Sequence, residues 1–468
     1  MKVVILGAGA VGTQIAKQLV NEKKDVVLIE KDPERARLAT NRLDCMVLTR
    51  AGNNIESLRE AGTATADYFI AVTDSDEVNM IACALADSEF SVPYKIARVR
   101  NVDYSTARIS ENGFLGIDFI VNPEIVAARA IIRTIEHGAI SDIMLFEQSR
   151  VQMRHVTVEA GSVFADRSLS DIGRTVDLGF LVAIVLRDDQ FIIPSGRTVL
   201  RPGDIVYVVA SEDALDKLFH RLGKRRTDLR RFVIVGGGKI GQTIATYLIE
   251  GYKREPSIIR RLVGNLQEGR RRSVKIIDRD YARCKELSQL LPGALVIHGD
   301  ISDEGVFEEE HFANSDLVIA VTGNQELNIV SAVYAKTRGT KRAVALVNKT
   351  NYTRIASQLG IDVPVSLKNS MVNSILKRVR RGNVKSIHSI PEGELEVLEI
   401  SVDESSPAAH KPIRELTLPP SSLIVSVLRE EETFIPDGSY ILRAGDHIIV
   451  IAKLEHIEQI QSLFIAPQ

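Results

Sequence analysis

At 468 residues, with 45% hydrophobic and 26% charged side chains and a net charge of −2, the chain has the make-up of a multidomain globular protein and not of a polycation that binds nucleic acid by charge. Three cysteines (Cys45, Cys83, Cys284) without a C-x-x-C pair, no tryptophan and 5% aromatics exclude a disulfide scaffold and argue against a base-stacking surface. No apolar run approaches eighteen residues, so no helix is expected to cross a membrane. Met1-Lys2 leads into a strand with no secretory signal, so a reduced, cytoplasmic compartment is expected.

Residues 1–135 alternate apolar runs of strand length with helical patterns. Strands are predicted at 3–6, 26–29, 45–48, 68–72, 95–99 and 119–121, and helices at 12–21, 32–42 and 77–88. This alternation predicts an α/β domain with a parallel sheet covered on both faces. From 136 to 222 short strands dominate (151–158, 181–186, 205–209), Asp188-Asp189 marks a hairpin turn, and a helix over 214–222 closes a small α+β module. The basic stretch 223–231 reads as a linker. Residues 232–385 then repeat the first domain, and 386–468 repeat the second.

The repeat is legible residue by residue. Gly7-Ala8-Gly9-Ala10-Val11-Gly12 returns as Gly236-Gly237-Gly238-Lys239-Ile240-Gly241. Ile70-Ala71-Val72-Thr73 returns as Ile319-Ala320-Val321-Thr322, Glu77 and Asn79 as Glu326 and Asn328, Gly116-Ile117-Asp118 as Gly360-Ile361-Asp362, and Gly203-Asp204 as Gly445-Asp446. Repetition over this length is a duplicated pair of domains, not a solenoid. The spacing requires an insertion in the second copy at about 250–272, carrying Lys253, Arg254, Arg260, Arg261, Arg270, Arg271 and Arg272 against Glu255 and Glu268. Such a charge run reads as a solvated face, the alternative being contact with anionic headgroups or an acidic partner.

A G-x-G-x-x-G motif between a strand and a helix is a phosphate cradle. Gly7 supplies the sharp turn, Gly9 lets a diphosphate approach the backbone, and Gly12 lets the helix sit close to the sheet. The first-turn N–H groups, from Ala8 through Ala10 and Val11, face the phosphates with the positive end of the helix dipole. Glu30 ends the second strand, where a carboxylate accepts hydrogen bonds from the ribose hydroxyls and favours NAD over NADP. Asn53 is placed to read the adenine edge, and Thr73 and Asp74 lie at the crevice mouth. Arg98 and Arg100, on one face of the fifth strand, either face phosphates or form surface ion pairs. The competing reading of the whole motif is a glycine turn that merely packs a helix on a sheet.

In the second copy Asp278 answers Glu30, Asp300 answers Asn53 and Thr322 answers Thr73, but Leu346 and Asn348 replace the two arginines. This site is therefore expected to lack its fixed cations, with Lys239 supplying part of the charge, and to bind its nucleotide more weakly or to bind a different one. The nine histidines form no ligand-spaced pair, and there is no Tyr-x-x-x-Lys and no Walker A motif. No catalytic or metal-binding residue is predicted, which shifts weight from an enzyme to a sensor.

With the opening residues 1–12, Glu30, the run Ala71-Val72-Thr73-Asp74-Ser75-Asp76-Glu77-Val78-Asn79-Met80, and Arg98 with Arg100, the chain resembles the RCK (regulator of potassium conductance) family, over essentially its whole length and in tandem. The resemblance implies two Rossmann-like N-domains, each followed by a small α+β C-domain. It implies NAD(H) binding with ATP or ADP as competitors, no catalysis, and a homotetramer whose eight N-domains form a gating ring. It further implies a TrkH-type potassium pore subunit as partner and a place on the cytoplasmic face of the inner membrane. The basic insertion departs from the family pattern. Two other readings are an NAD-dependent oxidoreductase and a regulator of a different potassium transporter.

Overall fold

The computed structural model describes residues 1–101, 104, 114–136, 143–146, 149, 151–188, 190–222, 229–250, 272–309, 312–379, 384–389, 395–430 and 432–465. Residues 223–228 of the expected linker, 251–271 of the expected basic insertion, and Asp189 of the expected hairpin turn lie outside the described residues.

The first α/β sheet is built from β1 (Lys2–Leu6), β2 (Asp25–Glu30), β3 (Met46–Thr49), β4 (Tyr68–Ala71), β5 (Tyr94–Arg98) and β6 (Phe119–Val121), all parallel, in the order β3-β2-β1-β4-β5-β6. The central strand reads KVVIL without alternation because helices cover both of its faces, and Val3, Val4 and Ile5 are fully buried. Among the described residues, four α-helices alternate with these strands: α1 (Ala10–Asn21), α2 (Pro33–Thr40), α3 (Ile55–Glu60) and α4 (Asp76–Ser88). Asp32 caps α2 as its sequence suggests, its Oδ1 accepting the Glu34 and Arg35 N–H groups at 2.9 and 3.2 Å with Pro33 in the first turn. The strand order reverses between β1 and β4, and open α/β sheets bind ligands at such a switch point.

After β6 the chain runs into α5 (Pro123–Glu136), whose buried apolar face joins a core of the second copy. The antiparallel sheet that follows takes β7 (Ile143–Leu145), β8 (Val151–Thr157), α6 (Leu169–Thr175), β9 (Phe180–Arg187), β10 (Gln190–Ile192), β11 (Ile205–Ser211) and α7 (Glu212–Arg221), in strand order β10-β9-β11-β8-β7. Asp188 takes a left-handed conformation, φ 49°, between β9 and β10.

The second half repeats this plan. Its parallel sheet comprises β12 (Arg231–Val235), α8 (Lys239–Glu250), β13 (Ser273–Asp278), α9 (Tyr281–Leu290), β14 (Leu295–His298), α10 (Glu304–Glu309), β15 (Leu317–Ala320), α11 (Gln325–Thr337), β16 (Arg342–Val347), α12 (Thr350–Gln358), β17 (Val363–Ser366) and α13 (Leu367–Val379), in strand order β14-β13-β12-β15-β16-β17. The closing antiparallel sheet, β18 (Val384–Ser389), β19 (Leu395–Ser401), β20 (Leu423–Arg429), β21 (Glu432–Phe434) and β22 (His447–Lys453), has the order β18-β19-β22-β20-β21 and is followed by α14 (Ile457–Phe464). Arg231 belongs to β12, so the end of the stretch read as linker is already strand.

The two halves are not the two compact units. One unit joins Met1–Ser141 to Thr227–Ile375, and the other joins Asp142–Arg226 to Leu376–Gln468. In the first unit α5 supplies the link: Ala127, Ala128, Ile131 and Ile135 are buried with Phe232, Ile244, Ala245 and Leu248 of the second copy. Each isoleucine so buried contributes about 1.5–3 kcal/mol. Tyr247 donates a hydrogen bond from its hydroxyl to the Glu136 carboxylate along the same contact. In the second unit the two antiparallel sheets share a core in which Val151, Met153, Tyr207 and Val209 meet Leu395, Val397, Ile449 and Ile451. Each of these sheets also carries the same forked ion pair, Arg187 on Asp204 at 2.7 Å and Arg429 on Asp446 at 2.8 Å.

Candidate functional site

The glycines of each motif separate by their surroundings. Gly7 and Gly236 have φ +106° and +105°, the left-handed region that a side chain strains. A Cβ on Gly12 would lie 1.9 Å from the Gly7 carbonyl oxygen, and one on Gly241 would lie 2.0 Å from that of Gly236. The fold itself therefore demands glycine at these four positions. Gly9 and Gly238 differ: a Cβ on either would meet no atom within 4 Å, and Gly9 has an extended φ of −68°. Nothing in the protein requires glycine there. The space in front of the backbone is what a diphosphate needs, so the residues fit the cofactor that the motif implies. Gly9 caps α1 and, having no side chain, makes no cap hydrogen bond to the first-turn N–H groups.

The acidic residue at the end of the second strand is nearly buried and tied to the glycine turn. Glu30 Oε2 accepts the Ala8 N–H at 2.7 Å and Oε1 accepts the Asp32 N–H at 2.9 Å. Asp278 repeats this, accepting Gly237 N–H at 2.6 Å and Asp280 N–H at 2.9 Å. Each carboxylate is thereby aimed along the turn, with lone pairs left for ribose hydroxyls. Ala10 is exposed and Val11 half-buried on the first turn of α1, while Ile240 is buried under the corresponding turn of α8.

A residue pair that the repeat displays without explaining, Asn79 and Asn328, organises the crevice floor. Asn79 is fully buried; its Oδ1 accepts the Thr73 N–H (2.9 Å) and hydroxyl (2.7 Å), and its Nδ2 donates to the Arg98 carbonyl at 2.9 Å. Asn328 makes the same bonds to Thr322 (2.8 and 2.6 Å) and to the Leu346 carbonyl (3.0 Å). One amide thus pins the ends of two neighbouring strands beside the cradle. The recurrence of the pair is the sequence signal for it.

At the first mouth, Arg98 Nη1 lies 3.0 Å from the Thr73 carbonyl and 3.1 Å from Asp74 Oδ1, and Arg100 Nη2 lies 3.5 Å from the same carboxylate oxygen. The ion-pair arrangement weighed from the sequence is thus present here. Asn53 is exposed, and its neighbour Asn54 is the one engaged locally, capping α3 through Ser57 N–H at 2.9 Å.

The second crevice is a cavity of about 480 Å³ lined by Gly236, Gly238, Asp278, Arg279, Asp300 and Thr322, among others. Two hydrogen bonds from Ser302 hold the Asp300 carboxyl below its ordinary range. The expectation that this site lacks fixed cations needs correction. β16 indeed offers none, but Arg279 lines the cavity and α9 sends Arg283 to the turn, its Nε donating to the Gly237 carbonyl at 2.8 Å and its Nη2 to Gln242 at 2.7 Å. Lys239 stands 4.0 Å from Glu124 of α5, so part of its charge is directed at that carboxylate.

Two Rossmann-type glycine turns on one chain, each in a parallel-sheet domain followed by an antiparallel α+β domain, define a duplicated Rossmann-like protein. The TrkA-N domain model matches residues 3–123 and 257–367, and the TrkA-C domain model matches 153–223 and 397–465. The chain belongs to the TrkA family. The Trk system potassium uptake protein TrkA of Halomonas elongata is 32% identical over 99% of this chain and 98% of its own length. That of Azorhizobium caulinodans is 31% identical with the same coverage, and TrkA homolog 1 of Methanosarcina mazei is 30% identical over 99% of this chain and all of its own. Among solved structures, the GsuK RCK domain matches with a TM-score of 0.55 at 19% identity, covering 100% of this chain and 95% of that one. The GsuK channel bound to NAD matches at 0.54 and 20%, covering 100% and 79%. At these identities the likeness is one of fold. Among the described residues no helix is long and apolar enough to cross a membrane.

Proposed function

We propose that this chain is the nucleotide-sensing subunit of a Trk-type potassium uptake system. It binds NAD(H), with ADP and ATP as competing ligands, and passes the state of its cradles to a TrkH-type membrane pore as a change of shape. The observation that carries the reading is the pair Gly9 and Gly238, glycines that the fold does not need and a bound diphosphate does. The first-turn N–H groups of α1 and α8 hold the phosphates, Glu30 and Asp278 take the ribose hydroxyls, and Asn53 and Asp300 stand beside the base. Thr73 and Thr322 line the floor, while Arg98 and Arg100 balance phosphate charge at the first site and Arg279, Arg283 and Lys239 at the second.

No turnover is needed for this role. A ligand that prefers one shape of the assembly shifts its population by the difference in binding free energy between shapes, and no further. The assembly is a homotetramer whose eight N-domains form a ring, held at the cytoplasmic face of the inner membrane by the pore subunit. The relatives' names along the whole chain support the potassium assignment.

Thermal shift and calorimetry of the full chain against NADH, NAD, ATP and ADP test the reading. Saturable binding that is lost at the first site in Gly9→Asp is expected, as is co-purification with membranes containing the pore subunit. Indifference to every adenine nucleotide overturns it, and steady consumption of NAD with a second substrate favours an oxidoreductase instead.

A further inference from the structure

The mouth of the first cradle carries a charge cluster that the second lacks as a set. Asp74 follows Thr73 at the end of β4, and its side chain is 73% exposed. Three guanidinium groups converge on its carboxylate: Arg98 at 3.1 Å, Arg100 at 3.5 Å and, from α2, Arg35 at 3.9 Å. Asp76 accepts the Arg100 N–H at 2.9 Å and Asp32 lies 4.0 Å from Arg35, but Asp74 is the carboxylate that all three guanidinium groups share. Arg98 is the most deeply set of the three. Its side chain is only 12% exposed, its Nε is buried with no acceptor, and burial together with the adjacent Arg100 holds its guanidinium below the ordinary arginine value.

The duplication supplies an internal control. Gly323 stands where Asp74 stands, and Leu346 and Asn348 stand where Arg98 and Arg100 stand. Arg283, the counterpart of Arg35, turns to the Gly237 carbonyl, Gln242 and Glu286 instead. The carboxylate and its two strand arginines are present together in one copy and absent together in the other. Asp74 belongs to the arginines, not to the fold.

We propose that Asp74 is a built-in competitor for nucleotide phosphate: it occupies Arg98 and Arg100 while no nucleotide is bound and must surrender them when one binds, so it sets the first site's selectivity for phosphate charge. This rests on the reading of the first cradle as a nucleotide site. A polyphosphate entering beside the Gly7 turn and the exposed carboxylate cannot both keep the arginines, because like charges at that range repel. The ligand therefore gains each arginine only by displacing an anion already there. A ligand with a single phosphate reaches less of the cluster and meets less of this competition. The second site, with no such residue, is free of it.

The test is calorimetry on full-length protein carrying Gly238→Asp, so that only the first site is read, with and without Asp74→Asn, against AMP, ADP and ATP. Asp74→Asn is expected to bind ADP and ATP about 3- to 10-fold more tightly, the range set by two or three ion pairs to one exposed carboxylate, and AMP less than about twofold more tightly. The gain shrinks at high salt, where exposed pairs are screened. Asp74→Gly, which copies the second repeat, moves affinity the same way. Unchanged or weaker ADP binding in both variants would mean that the carboxylate positions the arginines for the ligand, and equal gains for AMP and ATP would mean that it acts on something other than phosphate; either overturns the proposal. A parent protein that binds none of the three removes the nucleotide reading itself, and this inference with it.

Discussion

The two cradles share a backbone and differ in their cations. Turn, carboxylate tether and asparagine pin coincide to within a few tenths of an ångström, from Ala8 N–H on Glu30 at 2.7 Å against Gly237 N–H on Asp278 at 2.6 Å to the paired bonds of Asn79 and Asn328. The first copy draws positive charge chiefly from the end of β5, as Arg98 and Arg100, with Arg35 of α2 farther out. The second draws it from α9 and the loop before it, as Arg283 and Arg279. A backbone device tolerates no substitution, whereas a charge can be delivered from any element that reaches the spot. The same lesson appears away from the crevice. Asp118 is met by Lys95 at 3.2 Å, while its counterpart Asp362 is met by Lys336 at 2.9 Å and Arg342 at 2.6 Å, from different positions.

The largest expected effect breaks the two sites apart. Gly9→Asp should cost the first site more than about 100-fold in affinity, through a carboxylate set against phosphate, while the melting temperature of the apo protein stays put because no atom lies within 4 Å. Gly238→Asp should do the same to the second site alone. Calorimetry that finds both sites lost in either single variant would show that they are not independent. Next comes Gly12→Ala, which drives a methyl group into the Gly7 carbonyl at 1.9 Å. A loss of about 3 kcal/mol in urea unfolding is expected, in contrast to a near-neutral Gly9→Ala. Asn79→Ala and Asn328→Ala should each cost about 2 kcal/mol by stranding buried backbone groups, and unequal costs would show that the shared pin is loaded differently in the two copies.

The smallest effect is a pH dependence confined to the second copy. Burial would raise the Asp316 pKa, but Lys341, Arg231 and the Arg230 and Arg231 N–H groups outweigh it and hold the carboxyl well below the usual range. A depressed folded pKa stabilises the protein above the unfolded value of about 4 and is lost as pH falls through the folded one. Asp316→Asn should therefore be less stable than wild type by about 1 kcal/mol at pH 7 and converge with it in acid, as read from urea melts at both pH values. A constant gap would refute the electrostatic origin.

Much of this was legible in the sequence for a physical reason. Strands buried on both faces leave unbroken apolar runs, such as Val3 to Leu6 and Phe232 to Val235, and glycines forced by backbone geometry have no substitutes. The role of Asn79 was not legible, because an amide that bridges two strand ends looks like any polar residue until the strands are adjacent. Arg283 was hidden for the same reason: it reaches the turn only through the packing of α9. Nor did the pattern of α5 say where its apolar face would go. Periodicity identifies a buried stripe and is silent about the partner, here Phe232, Ile244 and Leu248 of the other copy.

That partnership has an evolutionary reach. Were the same contact made between two identical polypeptides, every substitution would be written on both sides at once, and no residue could be tuned for one nucleotide without altering its twin. By threading α5 of one repeat into the interior of the other within a single gene product, the molecule keeps the contact between repeats and releases the two halves from that constraint. Aspartate at 74 and glycine at 323 are the freedom so gained.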